Sequence, residues 1–184
     1  MNNIKSPREL LEFMDKNITY GFVGKNGKKY LDPYSPEWND WYNECFVQTG
    51  EEILKSKIGT CWDQVELERL WFENNNYDFK TIFSWFEVNR ENSLPTHTFL
   101  IYEDNNKWYW FENAFGDYTG IHEFNSFDES IKYVKEKQYE FALINSIDIR
   151  KENKETITCY EYSKPPKGIG VQEFFDFVTS GNKI

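Results

Sequence analysis

The apolar residues of this chain change their spacing partway along it. Over roughly the first seventy residues they recur at three- and four-residue intervals, the repeat of helices that bury one face. Further on they alternate with polar residues, the repeat of half-buried strands. Helix starts punctuate the first part. Ser6-Pro7-Arg8-Glu9 supplies a cap, a proline at the first helical position and a capping-box glutamate, predicting a helix to about Lys16. Ser35-Pro36 repeats the signal ahead of "EWNDWYNECF", and Thr49 with Glu52 opens "EEILKSK", which Gly59 is expected to stop. Between them, "ITYGFVGKNGKKYLD" reads as an extended hairpin turned at Asn26-Gly27.

One further helix stands apart. Thr60 and Asp63 form a cap and its reciprocal partner, so Cys61 becomes the first residue of a helix running to about Asn74. Trp62, Val65, Leu67, Leu70, Trp71 and Phe72 cover a broad arc of it, leaving Glu66, Arg69 and Glu73 as a narrow polar stripe. A helix apolar over so much of its circumference is buried. After it, "FKTIFSWFEVN", "THTFLIYE", "KWYWFEN", "EFALINSIDI" and "TITCYEY" suit strands, with a short helix near 126–137 and a closing helix in "VQEFFDFVTS". Helices first and strands second predict an α+β fold. The expectation is a single domain over 1–184, with N-terminal helices packed on an antiparallel sheet and a cysteine at the start of a buried central helix.

Composition narrows the function classes. A net charge of −10, spread along the chain, argues against binding a phosphate backbone. No apolar run approaches a membrane span, and the first residues show no secretory signal pattern. Three cysteines, Cys45, Cys61 and Cys159, without CxxC spacing, argue against a disulfide framework and a zinc site, so a cytoplasmic location with free thiols is expected. Aromatic residues make up 19% of the chain, which builds either a rigid core or a stacking surface for sugars.

The chemistry centres on Cys61. At a helix start the backbone N–H groups lack intrahelical acceptors and the macrodipole is positive, so a thiolate is stabilised there. The same N–H groups are placed to hold an oxyanion, and Trp62 is a candidate wall of the site. Asp63 opposes part of this effect with its own charge. Cys45, within an amphipathic helix, and Cys159, mid-strand, read as buried structural thiols. A nucleophilic thiol needs a base. Of the two histidines, His122 falls in an expected loop without a partner, while His97 opens a hairpin turned at Asn105-Asn106. If Asp104 pairs with Lys107, then His97, Phe99, Trp110 and Glu112 share a sheet face, and Glu112 can orient the imidazole. A four-residue loop keeps that parity, whereas a three-residue loop would put Asn113 opposite His97.

Taken in order, "GTCWDQ", "PTHTFLIY" and "KWYWFEN" resemble the three core motifs of the transglutaminase-like superfamily, within the broader papain-like fold. The likeness covers about 49–124, and "FENAFGDYTGIHEF" is similar to bacterial and phage members. It implies Cys61 as nucleophile, His97 as base and Glu112, 15 residues further on, as orienting acid, where the family more often has aspartate. The implied activity is acyl transfer from an amide or peptide bond of a protein, peptide or small amide, with no cofactor or metal. Two other functions fit the same composition: a catalytically degenerate scaffold for phage or cell-envelope interactions, and a carbohydrate-binding surface.

Overall fold

The computed structural model describes residues 1, 3–86, 96–144 and 157–184. Ser6 accepts the Glu9 N–H and Pro7 fills the first turn of α1, Pro7–Asn17. Three two-residue strands follow: β1 (Thr19–Tyr20), β2 (Phe22–Val23) and β3 (Lys29–Tyr30). Only β2 and β3 form the hairpin, so the expected element is shorter than "ITYGFVGKNGKKYLD" implies. Gly21 is the reason. Its φ of +154° breaks the strand, and a side chain there would run into the Tyr30 carbonyl. The chain thereby turns β1 away from β3.

Ser35 caps a single 3₁₀ segment, Pro36–Asp40, which continues into α2 (Trp41–Glu44). Thr49 and Glu52 close a full capping box on α3, Gly50–Ser56. Lys57, rather than Gly59, takes the left-handed conformation that ends α3, leaving Gly59 to β4 (Ile58–Gly59). That strand pairs in parallel with β1, Tyr20 opposite Gly59. The long helix α4 is Cys61–Asn74.

The remaining strands are β5 (Asp78–Phe86), β6 (Thr96–Asp104), β7 (Lys107–Glu112), β8 (Gly120–Phe124), β9 (Ile157–Tyr162) and β10 (Asn182–Lys183). They form one antiparallel sheet in the order β10-β9-β5-β6-β7-β8. Helix α5 is Phe127–Ile144 and α6 is Val171–Thr179. The molecule is α+β, as its sequence predicts.

Two expectations need correction. "EFALI" is the last part of α5, not a strand, because Ile131, Val134, Gln138 and Ala142 continue one buried helical stripe through it. The rest of that expected strand, 145–149, lies outside the described residues, as does the end of "FKTIFSWFEVN" at 87–89. His122 stands on β8 rather than in a loop.

Strand alternation sorts the core into layers. Leu100, Tyr102 and Phe111 face Leu67, Trp71 and Phe72 of α4 and Leu10 and Met14 of α1. Ile82, Phe99, Ile101 and Trp110 face Ile131, Val134 and Ala142 of α5 on the other side. A third cluster joins the start of α4 to Phe83 and to Phe174 and Val178 of α6. Most of the aromatic content is spent in these three clusters. Among the described residues, no helix is long and apolar enough to cross a membrane.

Candidate active site

The turn between β6 and β7 has Asn105 and Asn106 both at positive φ, 50° and 60°, the backbone of a two-residue turn of the primed type. Asp104 therefore pairs with Lys107 and the ladder continues to Leu100 opposite Phe111. The pairing stops there. Beyond it, His97 on β6 and Glu112 on β7 meet through their side chains, with His97 Nε2 2.7 Å from Glu112 Oε2. Both are buried, at 6% and 2% exposure.

Glu112 is fixed on every side. Oε2 also accepts the Trp110 indole N–H at 3.1 Å, while Oε1 accepts the backbone N–H groups of Ala114 and Phe115, each at 2.7 Å. A carboxylate can only accept, so the imidazole carries its hydrogen on Nε2 and leaves Nδ1 free to exchange a proton elsewhere. Burial pushes the His97 pKa down, but the Glu112 charge beside it pushes up, joined by hydrogen bonding to Cys61 and to Glu112, and the net result is raised. Ser84 donates to the His97 carbonyl at 3.1 Å, and Phe115 packs against the ring with centroids 4.9 Å apart.

Cys61 occupies the first turn of α4, at 6% exposure. Asp63 holds that turn in place. Its Oδ2 accepts the Thr60 N–H at 2.9 Å and the Thr60 hydroxyl at 3.1 Å, and its Oδ1 accepts the Gln48 N–H at 2.9 Å. Burial pushes the Asp63 carboxyl up to about 6 against the pull of these donors. The charge opposing a thiolate is thus softened without being removed.

Two of the residues singled out in the sequence stand elsewhere. Asn113 donates to Gln64 Oε1 of α4 at 2.6 Å and does not face His97, because the two-residue turn sets the register that puts Glu112 there. Trp62 is core: it stacks on Phe174 with centroids 4.4 Å apart and meets Trp41 and Phe175 edge-on. It does not wall the site. Cys45 and Cys159 are free and buried, and burial pushes both thiols up, Cys159 to about 11. His122 stacks on Trp110 at 4.8 Å and places its Nε2 2.8 Å from the Tyr118 carbonyl.

A cleft of about 410 Å³ opens over Cys61 and His97, bordered by Tyr20, Tyr34, Phe115, Tyr118 and Gln138 among others. Tyr20 is a site residue that sequence reasoning missed. Tyr20 is 38% exposed, yet its hydroxyl has the Cys61 thiol as a hydrogen-bonding partner. Burial, with Cys61 and Asp63 close by, pushes the phenol well above its ordinary value, so it stays a neutral O–H donor. The parallel pairing of β1 with β4 puts it there, and a two-residue strand carries almost no sequence signal. Glu68 was missed as well. It lies on α4 at 2% exposure with Oε2 unpartnered, its pKa raised by burial and by the Glu112 charge. Among the described residues, no group of three or more histidine, cysteine and acidic side chains is placed to hold a metal ion. No protein-family model matches the chain, and no curated protein does either. The functional reading therefore stands on the site's own geometry.

Proposed function

We propose that the protein is a thiol acyl-transfer enzyme of transglutaminase-like type, acting on an amide or peptide bond through Cys61, His97 and Glu112. One observation carries this reading: a buried imidazole holds a fully hydrogen-bonded carboxylate on one nitrogen, and the thiol of Cys61, at a helix start, is a second hydrogen-bonding partner of the same side chain. A structural histidine needs only one good partner. The Cys61 thiol passes its proton to His97 Nδ1, and the thiolate attacks the substrate carbonyl carbon. The carbonyl electron pair moves to oxygen, where the unpaired N–H groups of the first turn of α4 and the Tyr20 hydroxyl hold it. Collapse of this intermediate expels the amine, which takes the proton from His97 and leaves a thioester on Cys61. Water or a second amine, deprotonated by His97, then releases the acyl group and restores the thiol. Glu112 keeps the imidazole in the required tautomer and stabilises the imidazolium between the steps.

Two measurements test the proposal. Iodoacetamide should alkylate Cys61 well below pH 8 in the wild type, and His97→Gln should slow that reaction. Treatment with p-nitrophenyl acetate should add one acetyl group to Cys61, read by mass spectrometry, and none to Cys61→Ala. Alkylation that follows an ordinary thiol titration near pH 8.5 in both proteins would rule the reading out.

A further inference from the structure

The cleft over Cys61 contains a polar group with nothing to bind. Gln138 sits in the wall of the cleft at 4% exposure, and its Oε1 is fully buried without a hydrogen-bond partner. A buried amide oxygen left unpaired is costly, so it calls for a donor that the folded chain does not supply. The helical stripe of α5 calls for an apolar residue here, since Ile131, Val134 and Ala142 fill the neighbouring buried positions. Next to Gln138 the wall is aromatic. Phe115 meets Tyr118 at 5.0 Å and Phe141, one turn after Gln138, at 5.1 Å. No lysine or arginine borders the cleft among the described residues, and Asp117 is its one acidic side chain.

We propose that Gln138 is the residue that reads the acyl donor, its Oε1 accepting a backbone N–H of a peptide-like amide whose aromatic or large aliphatic side chain lies against the Phe115, Tyr118 and Phe141 wall. This rests on the acyl-transfer reading of Cys61 and deepens it. An acceptor oxygen selects a donor on the ligand, and a planar apolar wall selects a ring or branched chain. With no lysine or arginine along this wall and Asp117 already on it, an acidic side chain is disfavoured.

The test uses chloromethyl ketones that alkylate Cys61: N-acetyl-phenylalanyl, N-acetyl-glycyl, N-acetyl-aspartyl, and the phenylalanyl compound methylated on its amide nitrogen. The phenylalanyl probe should label Cys61 about tenfold faster than the glycyl one and faster still than the aspartyl one. Methylating the amide nitrogen should slow labelling about fivefold to tenfold. Gln138→Leu and Gln138→Met should slow the parent probe by a similar factor, and the variants should add nothing to the effect of methylation. Since methylation is read on the wild type, a poorly folding variant does not remove the test. Equal rates for the parent and methylated probes, or equal sensitivity of both to Gln138→Leu, overturn the assignment of Gln138. If iodoacetamide labelling of Cys61 depends on His97 while the probes ignore Gln138, the recognition proposal alone fails. If His97→Gln leaves iodoacetamide labelling unchanged, the acyl-transfer reading fails and takes this one with it.

Discussion

His97 and His122 stand on the same face of one sheet, with Trp110 between them. Trp110 donates its indole N–H to the carboxylate that holds His97, and its ring stacks on His122. Yet the two imidazoles have different surroundings. His97 touches a buried carboxylate and a thiol, both of which exchange protons or bear charge. His122 touches a backbone carbonyl and the rings of Trp110 and Tyr133, with no carboxylate or thiol among these contacts. Strand position and aromatic contact are common to both, so neither makes a histidine chemical. What separates them is the end of the β6–β7 ladder at Leu100 and Phe111, beyond which side chains replace backbone pairing as the contact between the strands.

The sharpest break of this contrast is to remove each imidazole. His97→Gln should lower acetyl transfer to Cys61 by about 10³-fold, within the range of a lost general base, with the rate read by p-nitrophenol release. Glu112→Gln comes next, at about 10²-fold. The amide presents either an N–H or a weaker acceptor to Nε2, and the loss should be largest in the pH range where the imidazolium is needed. Tyr20→Phe should cost about tenfold to a hundredfold in acetyl transfer, since one oxyanion donor is gone. It should leave iodoacetamide alkylation, which forms no oxyanion, within about threefold of wild type. His122→Phe keeps the stack on Trp110 and loses one hydrogen bond. It should cost about 1 kcal/mol of stability in urea unfolding, with acetyl transfer changed less than about twofold. An effect of His122→Phe comparable to that of His97→Gln would erase the distinction drawn between the two.

A last effect concerns pH and bears on stability, not on acetyl transfer. Burial pushes Asp63 up to about 6 and Glu66 up to about 7, from ordinary values of 3.8 and 4.5. The folded state therefore holds these protons more tightly than the unfolded one. Their stabilisation is complete below about pH 4 and is lost as the pH rises through about 6 and 7. The unfolding midpoint should fall by roughly ten degrees from pH 4.5 to pH 7.5. Glu66→Gln should flatten that slope, since the amide has no proton to lose and its oxygen can still accept from Arg69, which also donates to Thr81.

Much of this was legible before any coordinates. The caps at Ser6, Thr49 and Thr60 are local events, decided within four residues, and each helix begins where its cap says. Asn105-Asn106 set the register of β6 on β7 through turn chemistry alone, and that register carries Glu112 to His97. Other features were not legible, for a common reason. "EFALI" fits a strand when read by itself and a helix when α5 and the sheet beneath it are present, since five apolar-rich residues satisfy both periods. Trp62 follows the cysteine in sequence, but a helix turns about 100° per residue. Cys61 and Trp62 consequently face different neighbours, the cleft for one and α6 for the other.

The sequence by itself determined the class of fold, the helix that starts at Cys61 and the strand pair that bears His97 and Glu112, because each follows from contacts between near neighbours along the chain. The tertiary structure alone decided that the helix and the hairpin meet, that Tyr20 arrives from a two-residue strand beside Gly59, and that Gln138 of α5 looks into the same cleft. Those placements depend on how α4 and α5 pack on opposite faces of one sheet. Packing of that kind sums many weak contacts between distant segments, and no single stretch of sequence contains it.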